Sequence, residues 1–497
     1  MRAGALRSAA LAAATGLAAA AGQAPLGLWW LALPALSFLT WQVARAPVLR
    51  AGLWRGWCAG VGYFTGTLFW IVEPFMVDAA HDGWMAPFAL AGMAGGMALF
   101  WMLAAAVAAL GRGPGGRAAG FAVGLAATDL LRSYVLTGFP WVLAGHIWIG
   151  TPVAQGAAIV GPIGLSILTM ALAAAPVVAQ DLRGRAVGAA GAAALLAAVW
   201  GFGAARMATP AATGDLVRVR LVQPNATQAL KWLPGMWDTF IERQMRASEA
   251  PSAKPLDLVV WPETALPYLL EDSGDLISEA VSRDGGVPVI LGVQRAEGPL
   301  IYNSLIATDR TGTVRAVYDK HHLVPFGEYL PFGDFLARFG LTAFAATTGH
   351  AYTAGSGPTV IDLGRAGKIL PLICYEAAFP QDLRGVPLRA DWILQITNDA
   401  WFGTLSGPWQ NLAQSRLRAI EQGLPLIRVA NTGITAAIDP MGRVIASLPE
   451  DRDGFLDVDV PRPLPATLYA RTGDGPATML LLGCILALVL ARRKRTD

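Results

Sequence analysis

Charged residues are scarce in this sequence, and their scarcity argues against an ordinary soluble protein. Only 15% of the 497 residues are Asp, Glu, Lys or Arg, whereas 54% are hydrophobic. Soluble domains carry about 25% charged residues. The composition therefore predicts an integral membrane protein.

Cysteine is equally rare, which excludes a disulfide-rich scaffold. Of the three cysteines, Cys58 and Cys484 lie in apolar runs and Cys374 lies in a more polar region. The sequence has no CxxC spacing and no His/Cys cluster of the kind that binds zinc. We predict neither a disulfide nor a metal site, and we expect no cofactor.

The few charges are unevenly distributed, and they divide the chain into three regions. Residues 1–210 are rich in Ala, Leu, Gly and Trp, residues 213–463 have the composition of a soluble domain, and residues 475–491 form a last apolar run before a basic C-terminus. We predict a membrane bundle of about seven helices, a globular domain and a C-terminal transmembrane helix.

Several segments come close to the run of about 20 apolar residues that a membrane-spanning helix needs. The eight candidates are 5–22, 25–43, 56–77, 85–110, 118–138, 153–179, 187–206 and 475–491. Arginines concentrate in alternate loops, for example Arg45, Arg50 and Arg55 between the second and third segments. By the positive-inside rule these loops and both termini are cytoplasmic, which places the globular domain on the outer face of the membrane. In a bacterial cell this side is the periplasm.

Two features of the predicted bundle have alternative interpretations. The first segment resembles a cleaved signal peptide, but we favour a retained helix because further spans follow at once. Asp129 and Arg132 lie three residues apart on one face of the fifth segment. We interpret them as a structural ion pair, and binding of a lipid headgroup is the alternative.

The globular region alternates apolar strands with helical segments, which predicts a layered α/β domain. The predicted strands are 216–224, 256–263, 287–293, 302–309, 368–376, 391–399, 425–433 and 435–445. The predicted helices include 236–249, 272–283 and 407–422.

Polar residues follow three of the predicted strand ends. Glu263 comes after "VVWP", where proline ends the strand, and Cys374 and Glu376 close "KILPLICYE". Lys320 and Glu328 lie in "YDKHHLVPFGEYLP". A thiol needs a base to become a nucleophile, a buried carboxylate can take its proton, and an ammonium can stabilise an oxyanion. The three strand ends together supply all three groups.

Histidine offers an alternative base. His321 and His322 are the main candidates in the globular region, and His350 is the other one. We consider a Cys-His pair less favoured than a base from a carboxylate.

These motifs resemble a known family. Glu263 in "WPET", Lys320 in "YDKHHLVPFGEYLP" and Cys374 in "CYE" resemble the Glu-Lys-Cys triad of the nitrilase, or carbon–nitrogen hydrolase, superfamily, whose fold is an αββα sandwich. The membrane segments and the motifs "QPN", "KW", "LVPFGEYLP" and "NDAWFG" narrow the resemblance to the apolipoprotein N-acyltransferase family of the bacterial inner membrane.

The resemblance implies a role for each matching residue. Glu263 would be the general base, Lys320 the oxyanion stabiliser and Cys374 the nucleophile. The remaining matches are supporting and substrate-binding positions: the acidic Glu328 and Glu376 beside the triad, and Trp232, Tyr375 and Trp401 around the pocket.

The resemblance also implies a two-step reaction with ping-pong kinetics. An acyl chain would pass from a phospholipid, phosphatidylethanolamine in the family, through a Cys374 thioester to the N-terminal amine of diacylglyceryl-cysteine in apolipoproteins. The expected partners are these two lipid substrates and the membrane, with no nucleic acid, and we expect a monomer. The apolar segment 332–346 would either enter lipid or pack on the bundle.

Two other functions are compatible with parts of the sequence. A membrane-tethered amidase or nitrilase would use the same triad on a small soluble substrate, although eight spans exceed what a tether needs. The second is a transporter or receptor, which would have the same membrane bundle but an outer domain without catalytic activity.

Overall fold

The computed structural model describes residues 2–208, 217–331, 338, 351–386 and 388–493, which form two compact units. The first unit comprises Met1–Thr209, Leu405–Ala413 and Ala466–Asp497, and the second comprises Pro210–Thr404 and Gln414–Pro465. His350 and nearly all of segment 332–346 lie outside the described residues.

The first unit is helical in its described part. In chain order its helices up to residue 208 are α1 (Arg2–Ala20), α2 (Trp29–Ala44), α3 (Leu49–Leu68), α4 (Ala79–Asp82), α5 (Ala86–Ala108), α6 (Gly113–Tyr134), α7 (Ala157–Val178) and α8 (Leu182–Met207). Among the described residues, four segments are long and apolar enough to cross a membrane: Ala79–Ala108, Pro152–Val178, Leu182–Met207 and Gly475–Arg492. The number of eight spans remains a prediction.

The buried Asp129 is fully bonded inside the first unit. Its Oδ1 accepts from Arg132 Nη2 at 3.2 Å, and its Oδ2 accepts from the Ala144 backbone N–H and the Ser166 hydroxyl, each at 2.8 Å. Arg132 also donates to the Trp141 carbonyl oxygen at 2.6 Å. Because both carboxylate oxygens are satisfied within the protein, the geometry favours the structural ion pair over a headgroup site.

Gln410 also lies in the first unit, and its side-chain amide is saturated there. Its Oε1 accepts from the indole N–H groups of Trp70 at 3.1 Å and Trp141 at 2.7 Å. Its Nε2 donates to the carbonyl oxygens of Ala24 at 3.2 Å and Thr67 at 3.0 Å. Four hydrogen bonds are all that a carboxamide can make, so this buried side chain is fully satisfied.

The second unit contains two six-stranded sheets. Its strands are β1 (Arg218–Gln223), β2 (Leu258–Val260), β3 (Val289–Glu297), β4 (Leu300–Thr308), β5 (Val314–Asp319), β6 (Ile361–Asp362), β7 (Lys368–Ile373), β8 (Trp392–Thr397), β9 (Leu426–Ala430), β10 (Thr435–Ile438), β11 (Val444–Leu448) and β12 (Gly454–Asp459). The sheet orders are β12-β1-β2-β3-β4-β5 and β11-β10-β9-β8-β7-β6. Strands β1 to β3 and β7 to β9 run parallel, and the outer strands are antiparallel.

The remaining helices are α9 (Gln228–Lys231), α10 (Trp237–Glu249), α11 (Gly274–Arg283), α12 (Gly407–Gln422), α13 (Leu468–Thr472) and α14 (Gly475–Arg493). Helices α10 and α11 cover the first sheet. Ile241 and Ile277 pack with Val259 and Leu291 in one buried cluster. A central parallel strand buried on both faces reads as a continuous apolar run, which explains why "LDLVVW" and "VPVILGV" predict strands.

The described structure confirms the predicted α/β layers but corrects one strand. The predicted strand 435–445 is a hairpin, because the Asp439 carboxylate accepts from the backbone N–H groups of Met441 and Arg443, both at 2.9 Å, and Gly442 takes a φ of 74°. Three strands were missed, β5, β6 and β12. They lie at or next to sheet edges, where an alternating pattern is weak.

Candidate active site

Three strand ends bring Glu263, Lys320 and Cys374 together. Glu263 follows β2 by three residues, Lys320 follows β5 directly and Cys374 follows β7 directly. Lys320 Nζ lies 3.6 Å from Glu263 Oε1, and the Cys374 thiol feels the charges of both residues. All three are buried, with 5% of Glu263, 1% of Lys320 and 5% of Cys374 exposed. The structure therefore groups a carboxylate, an ammonium and a thiol in one water-poor site.

Both carboxylate oxygens of Glu263 are held by N–H donors. Asn303 Nδ2 donates to Oε1 at 2.7 Å, and the Asn398 backbone N–H donates to Oε2 at 2.7 Å. Gly292 on β3 lies against this turn, since a Cβ there would be 2.6 Å from Glu263 Cα. The Glu263 carboxylate is thus held by one donor within β4 and one directly after β8. The close packing of Gly292 fixes the Glu263 backbone.

Lys320 lies between two carboxylates. Its Nζ donates to Glu328 Oε1 at 2.8 Å, and its backbone N–H donates to the Asn303 carbonyl at 2.8 Å. Burial lowers the pKa of Lys320, but Glu328 and Glu263 outweigh burial and hold the pKa above its ordinary value. Burial raises the pKa of Glu328, with Lys320 acting in the opposite direction. The lysine therefore stays an ammonium.

Cys374 begins the short helical turn Cys374–Ala378 in a left-handed conformation, with a φ of 53°. Its carbonyl oxygen accepts from Gln395 Nε2 at 3.0 Å, and the Gln395 Oε1 accepts from the Ser415 hydroxyl at 2.6 Å. Burial and then the charge of Glu263 raise the pKa of the thiol well above its ordinary value, while Lys320 opposes them. The resting nucleophile is therefore a thiol that needs a base.

The aromatic candidates lie in different surroundings. Trp232 is 38% exposed and lines a small pocket with Lys231, Phe240 and Glu263. Tyr375 packs edge-on against Phe379, with ring centroids 4.9 Å apart. Trp401 closes the turn Asp399–Trp401 after β8. Of these three, Trp232 lies in the described pocket beside Glu263.

Comparisons with known proteins identify the family of this chain. The carbon-nitrogen hydrolase model matches residues 218–467, and the model of the apolipoprotein N-acyltransferase N-terminal domain matches residues 15–175. The apolipoprotein N-acyltransferase of Caulobacter vibrioides is 40% identical, with 95% of this chain and 92% of the relative covered. The enzyme of the same name from Rhodopseudomonas palustris is 37% identical, with 89% and 86% covered.

The chain belongs to the apolipoprotein N-acyltransferase family. Membership in this family and the carbon-nitrogen hydrolase domain support lipoprotein N-acylation. Among solved structures, an amidase from Nesterenkonia sp. is 21% identical, with 55% of this chain and 98% of that chain covered at a TM-score of 0.37.

Three further residues contact Glu263 or its turn, and the sequence alone assigned no role to any of them. Asn303 lies inside β4, and Asn398 reaches Glu263 through its backbone N–H. Lys231 is 8% exposed, and its Nζ donates to Thr264 Oγ1 and to the Glu263 carbonyl oxygen, the latter at 3.3 Å. Burial lowers the pKa of Lys231 to about 8, with Glu263 opposing. The signal that the sequence offered for Asn303 and Lys231 is an amide or a lysine within an apolar stretch, where a polar side chain needs a buried partner.

The Glu376 carboxylate accepts hydrogen bonds from the backbone on either side of the site. Its carboxylate accepts from the backbone N–H groups of Ile373 at 2.7 Å and His321 at 2.8 Å, and from the Tyr318 hydroxyl at 2.9 Å. It is fully buried. The supporting role predicted for Glu376 in this family fits these contacts.

The two histidines after Lys320 are engaged with carboxylates. His322 Nδ1 lies 2.7 Å from Asp382 Oδ2, and the His321 ring lies between Asp382 and Glu376. These contacts disfavour a Cys-His base. The ligand-type atoms of His321, His322 and Asp382 lie within 4.8 Å of one another, a proximity that the sequence did not predict.

Proposed function

We propose that this protein transfers an acyl chain from a phospholipid, through a thioester on Cys374, to the N-terminal amine of diacylglyceryl-cysteine in apolipoproteins. The observation that carries the proposal is the grouping of Glu263, Lys320 and Cys374 in one buried site. Its context is a family whose relatives are named for N-acylation of apolipoproteins.

In the first step Glu263 removes the Cys374 proton as Sγ attacks the carbonyl carbon of the sn-1 ester. Because the raised pKa of the thiol disfavours a free thiolate, Glu263 takes the proton as Sγ attacks. The carbonyl oxygen becomes an oxyanion beside the Lys320 ammonium. Collapse of the intermediate breaks the ester C–O bond, and protonated Glu263 returns its proton to the leaving alkoxide. The products are a thioester and a lysophospholipid.

In the second step the neutral α-amine of the apolipoprotein attacks the thioester carbonyl. Glu263 takes a proton from the attacking nitrogen, and Lys320 again faces the oxyanion. Breaking the C–S bond forms the amide and releases the thiolate, which takes the proton back from Glu263. One carboxylate thus shuttles one proton in each half-reaction, and ping-pong kinetics follow.

The supporting residues hold these groups or shape the pocket. Glu328 fixes the Lys320 ammonium at 2.8 Å, and Glu376 holds the backbone on both sides of the site. Trp232, Tyr375 and Trp401 line the route of the acyl chain in this proposal. The aromatic, apolar surroundings of Trp232 fit a lipid tail better than a small polar amide.

The membrane arrangement is part of the proposal. Residues 1–210 would form a bundle of seven helices, residues 213–463 the periplasmic domain and residues 475–491 the eighth span, with both termini in the cytoplasm. Four long apolar helices among the described residues and the family relatives fit an inner-membrane protein. Reporter fusions after residues 48, 112 and 235 test the orientation, and activity of a periplasmic reporter only at residue 235 is expected.

The decisive experiment is mass spectrometry of the purified protein after incubation with phosphatidylethanolamine alone. We expect one acyl mass on the peptide containing Cys374, removed by hydroxylamine as a thioester would be. Addition of a diacylglyceryl-cysteine peptide should discharge it and produce an N-acylated peptide. The matched controls are Cys374→Ser, which should give no hydroxylamine-sensitive adduct, and Cys58→Ser, which should behave as the wild type.

Two outcomes would overturn the proposal. Acylation of a lipoprotein peptide at the wild-type rate by Cys374→Ala would exclude the thioester. Steady hydrolysis of small soluble amides without lipid, and without transfer to an amine, would identify a tethered amidase instead.

A further inference from the structure

The motif "KW" places Lys231 directly before Trp232, and no step of the proposed reaction uses this lysine. Lys231 is the last residue of α9 and is only 8% exposed. A lysine is seldom buried unless its nitrogen has hydrogen-bond partners, because removing that nitrogen from water is costly. The contacts of Lys231 therefore show what its burial serves.

Two hydrogen bonds join the Lys231 nitrogen to the turn that carries Glu263. Nζ donates to the Glu263 carbonyl oxygen at 3.3 Å and to Thr264 Oγ1. An ammonium and a neutral amine each have at least two N–H groups, so both bonds are available in either protonation state of the lysine. Lys231 thus ties α9 to the backbone of the proposed base.

The turn after β2 has a backbone that needs support from its surroundings. Thr264 adopts a φ of 46°, a left-handed conformation that is unfavourable for a residue with a Cβ and persists only where other contacts hold it. Backbone hydrogen bonds join the turn to β3: the Gly292 N–H donates to the Pro262 carbonyl at 3.1 Å, and the Ala265 N–H donates to the Gly292 carbonyl at 2.7 Å. Lys231 adds hydrogen bonds to the two residues between Pro262 and Ala265.

Helix α9 is also linked to the carboxylate of Glu263. Gln228, the first residue of α9, accepts at its Oε1 from Asn398 Nδ2 at 3.2 Å. The Asn398 backbone N–H in turn donates to Glu263 Oε2 at 2.7 Å. All of these side chains are buried. One short helix is therefore linked to the backbone of Glu263 through Lys231 and to its carboxylate through Asn398.

We infer that Lys231 is a positioning residue, which holds the turn at Glu263 and Thr264 and thereby keeps the Glu263 carboxylate in reach of Cys374. The inference rests on the proposed function, because Glu263 and Cys374 are its base and its nucleophile. A base must lie within hydrogen-bond reach of the proton that it takes. A small displacement of the turn therefore slows the chemistry while substrates still bind.

Direct contact with a substrate would be the other use for Lys231, because the residue lines the small pocket with Trp232 and Glu263. The two uses differ in their kinetics. Glu263 transfers a proton in both half-reactions, so a displaced base lowers kcat/KM for the phospholipid and for the lipopeptide by similar factors. A lysine that binds one substrate lowers kcat/KM for that substrate alone.

The first test uses the full-length protein in detergent with phosphatidylethanolamine and a diacylglyceryl-cysteine peptide. Lys231→Met removes the donor but retains an unbranched side chain. Its kcat should fall by about 10- to 100-fold, with each KM within about twofold of the wild type. Lys254→Met is the matched control, because the Lys254 side chain is 66% exposed, and it should keep its kcat within about twofold.

The second test changes the acceptor and leaves Lys231 in place. Thr264→Val removes the hydroxyl that accepts from Lys231 and preserves the shape of the side chain, whereas Thr264→Ser keeps the hydroxyl. We expect kcat to fall by about 5- to 30-fold in the first and by less than about threefold in the second. Because the two residues share one interaction, adding Thr264→Val to Lys231→Met should lower kcat by less than about twofold more.

Three outcomes would overturn the inference: a wild-type kcat for Lys231→Met, equal kcat values for Thr264→Val and Thr264→Ser, or a loss of kcat/KM confined to one substrate. Thermal unfolding is measured for each variant, and if Lys231→Met does not fold, the two Thr264 variants decide the question. If the wild type itself never forms the thioester on Cys374, the proposed function fails instead.

Discussion

Asn303 and Glu263 are 40 residues apart in sequence, yet Asn303 Nδ2 donates to Glu263 Oε1 at 2.7 Å. The same amide nitrogen lies 3.4 Å from Glu328 Oε1. The Asn303 side chain thus lies between Glu263, the proposed base, and Glu328, the carboxylate that binds Lys320. A hydrogen bond to a charged group contributes about 1.5–3 kcal/mol, so Asn303 should matter to the reaction.

Asn303→Ala should lower kcat by roughly 10- to 150-fold, because Glu263 loses its orienting donor. Asn303→Asp should be worse, since it places a third carboxylate between two others. The measurement is steady-state transfer to a lipopeptide. Gln294→Ala serves as control, because Gln294 pairs with Asn303 across the strands but donates to Tyr352. A normal kcat for Asn303→Ala would contradict the orienting role.

The raised pKa of Cys374 predicts how the thiol responds to pH. A thiol reacts as its thiolate, and a raised pKa keeps the protonated form dominant, so alkylation by iodoacetamide should rise about tenfold per pH unit from pH 7 to 9 without a plateau. Glu263→Gln removes a charge that raises this pKa. Alkylation should therefore become faster while acyl transfer is lost. The rate is followed by peptide mass spectrometry, and a plateau below pH 9 would contradict the prediction.

Gly292 predicts a steric effect on the base. A Cβ at this position would lie 2.6 Å from Glu263 Cα and from Thr264 N, and backbone atoms cannot yield as a flexible side chain would. Gly292→Ala should cost about 1–3 kcal/mol of stability and lower kcat more than about tenfold. Gly235→Ala is the control, because nothing lies within 4 Å of its Cβ. Equal behaviour of the two variants in thermal unfolding and turnover would refute the steric argument.

Much of the secondary structure of the α/β domain can be predicted from the sequence, because each helix or strand is specified by the residues within it. The helices predicted at 236–249 and 407–422 are found at Trp237–Glu249 and Gly407–Gln422. Glu263 and Cys374 stand out because each comes at or soon after the end of an apolar run, whereas Lys320 follows β5, a strand that the apolar pattern did not predict. A buried strand needs that run whatever its neighbours are, so the signal survives without knowledge of the fold.

The hydrogen-bond and ion-pair partners of the site residues cannot be predicted in the same way. Asn303 meets Glu263 only through the order of β2, β3 and β4 and through their register. The environment of His321 depends on two acidic residues more than fifty positions away. Such contacts are set by tertiary pairing, and no local pattern carries them.

The left-handed backbone of Cys374 carries a cost in folding stability. A φ of 53° is natural for glycine and unfavourable for any residue with a Cβ, by about 1–2 kcal/mol. Cys374→Gly should therefore unfold at a higher temperature than Cys374→Ala, the reverse of the usual order of these two residues. If Ala proves the more stable, the backbone is relaxed there. If Cys374→Gly is the more stable variant, the chain folds better with a residue that cannot react, and the lost stability belongs to the conformation in which the thiol is held.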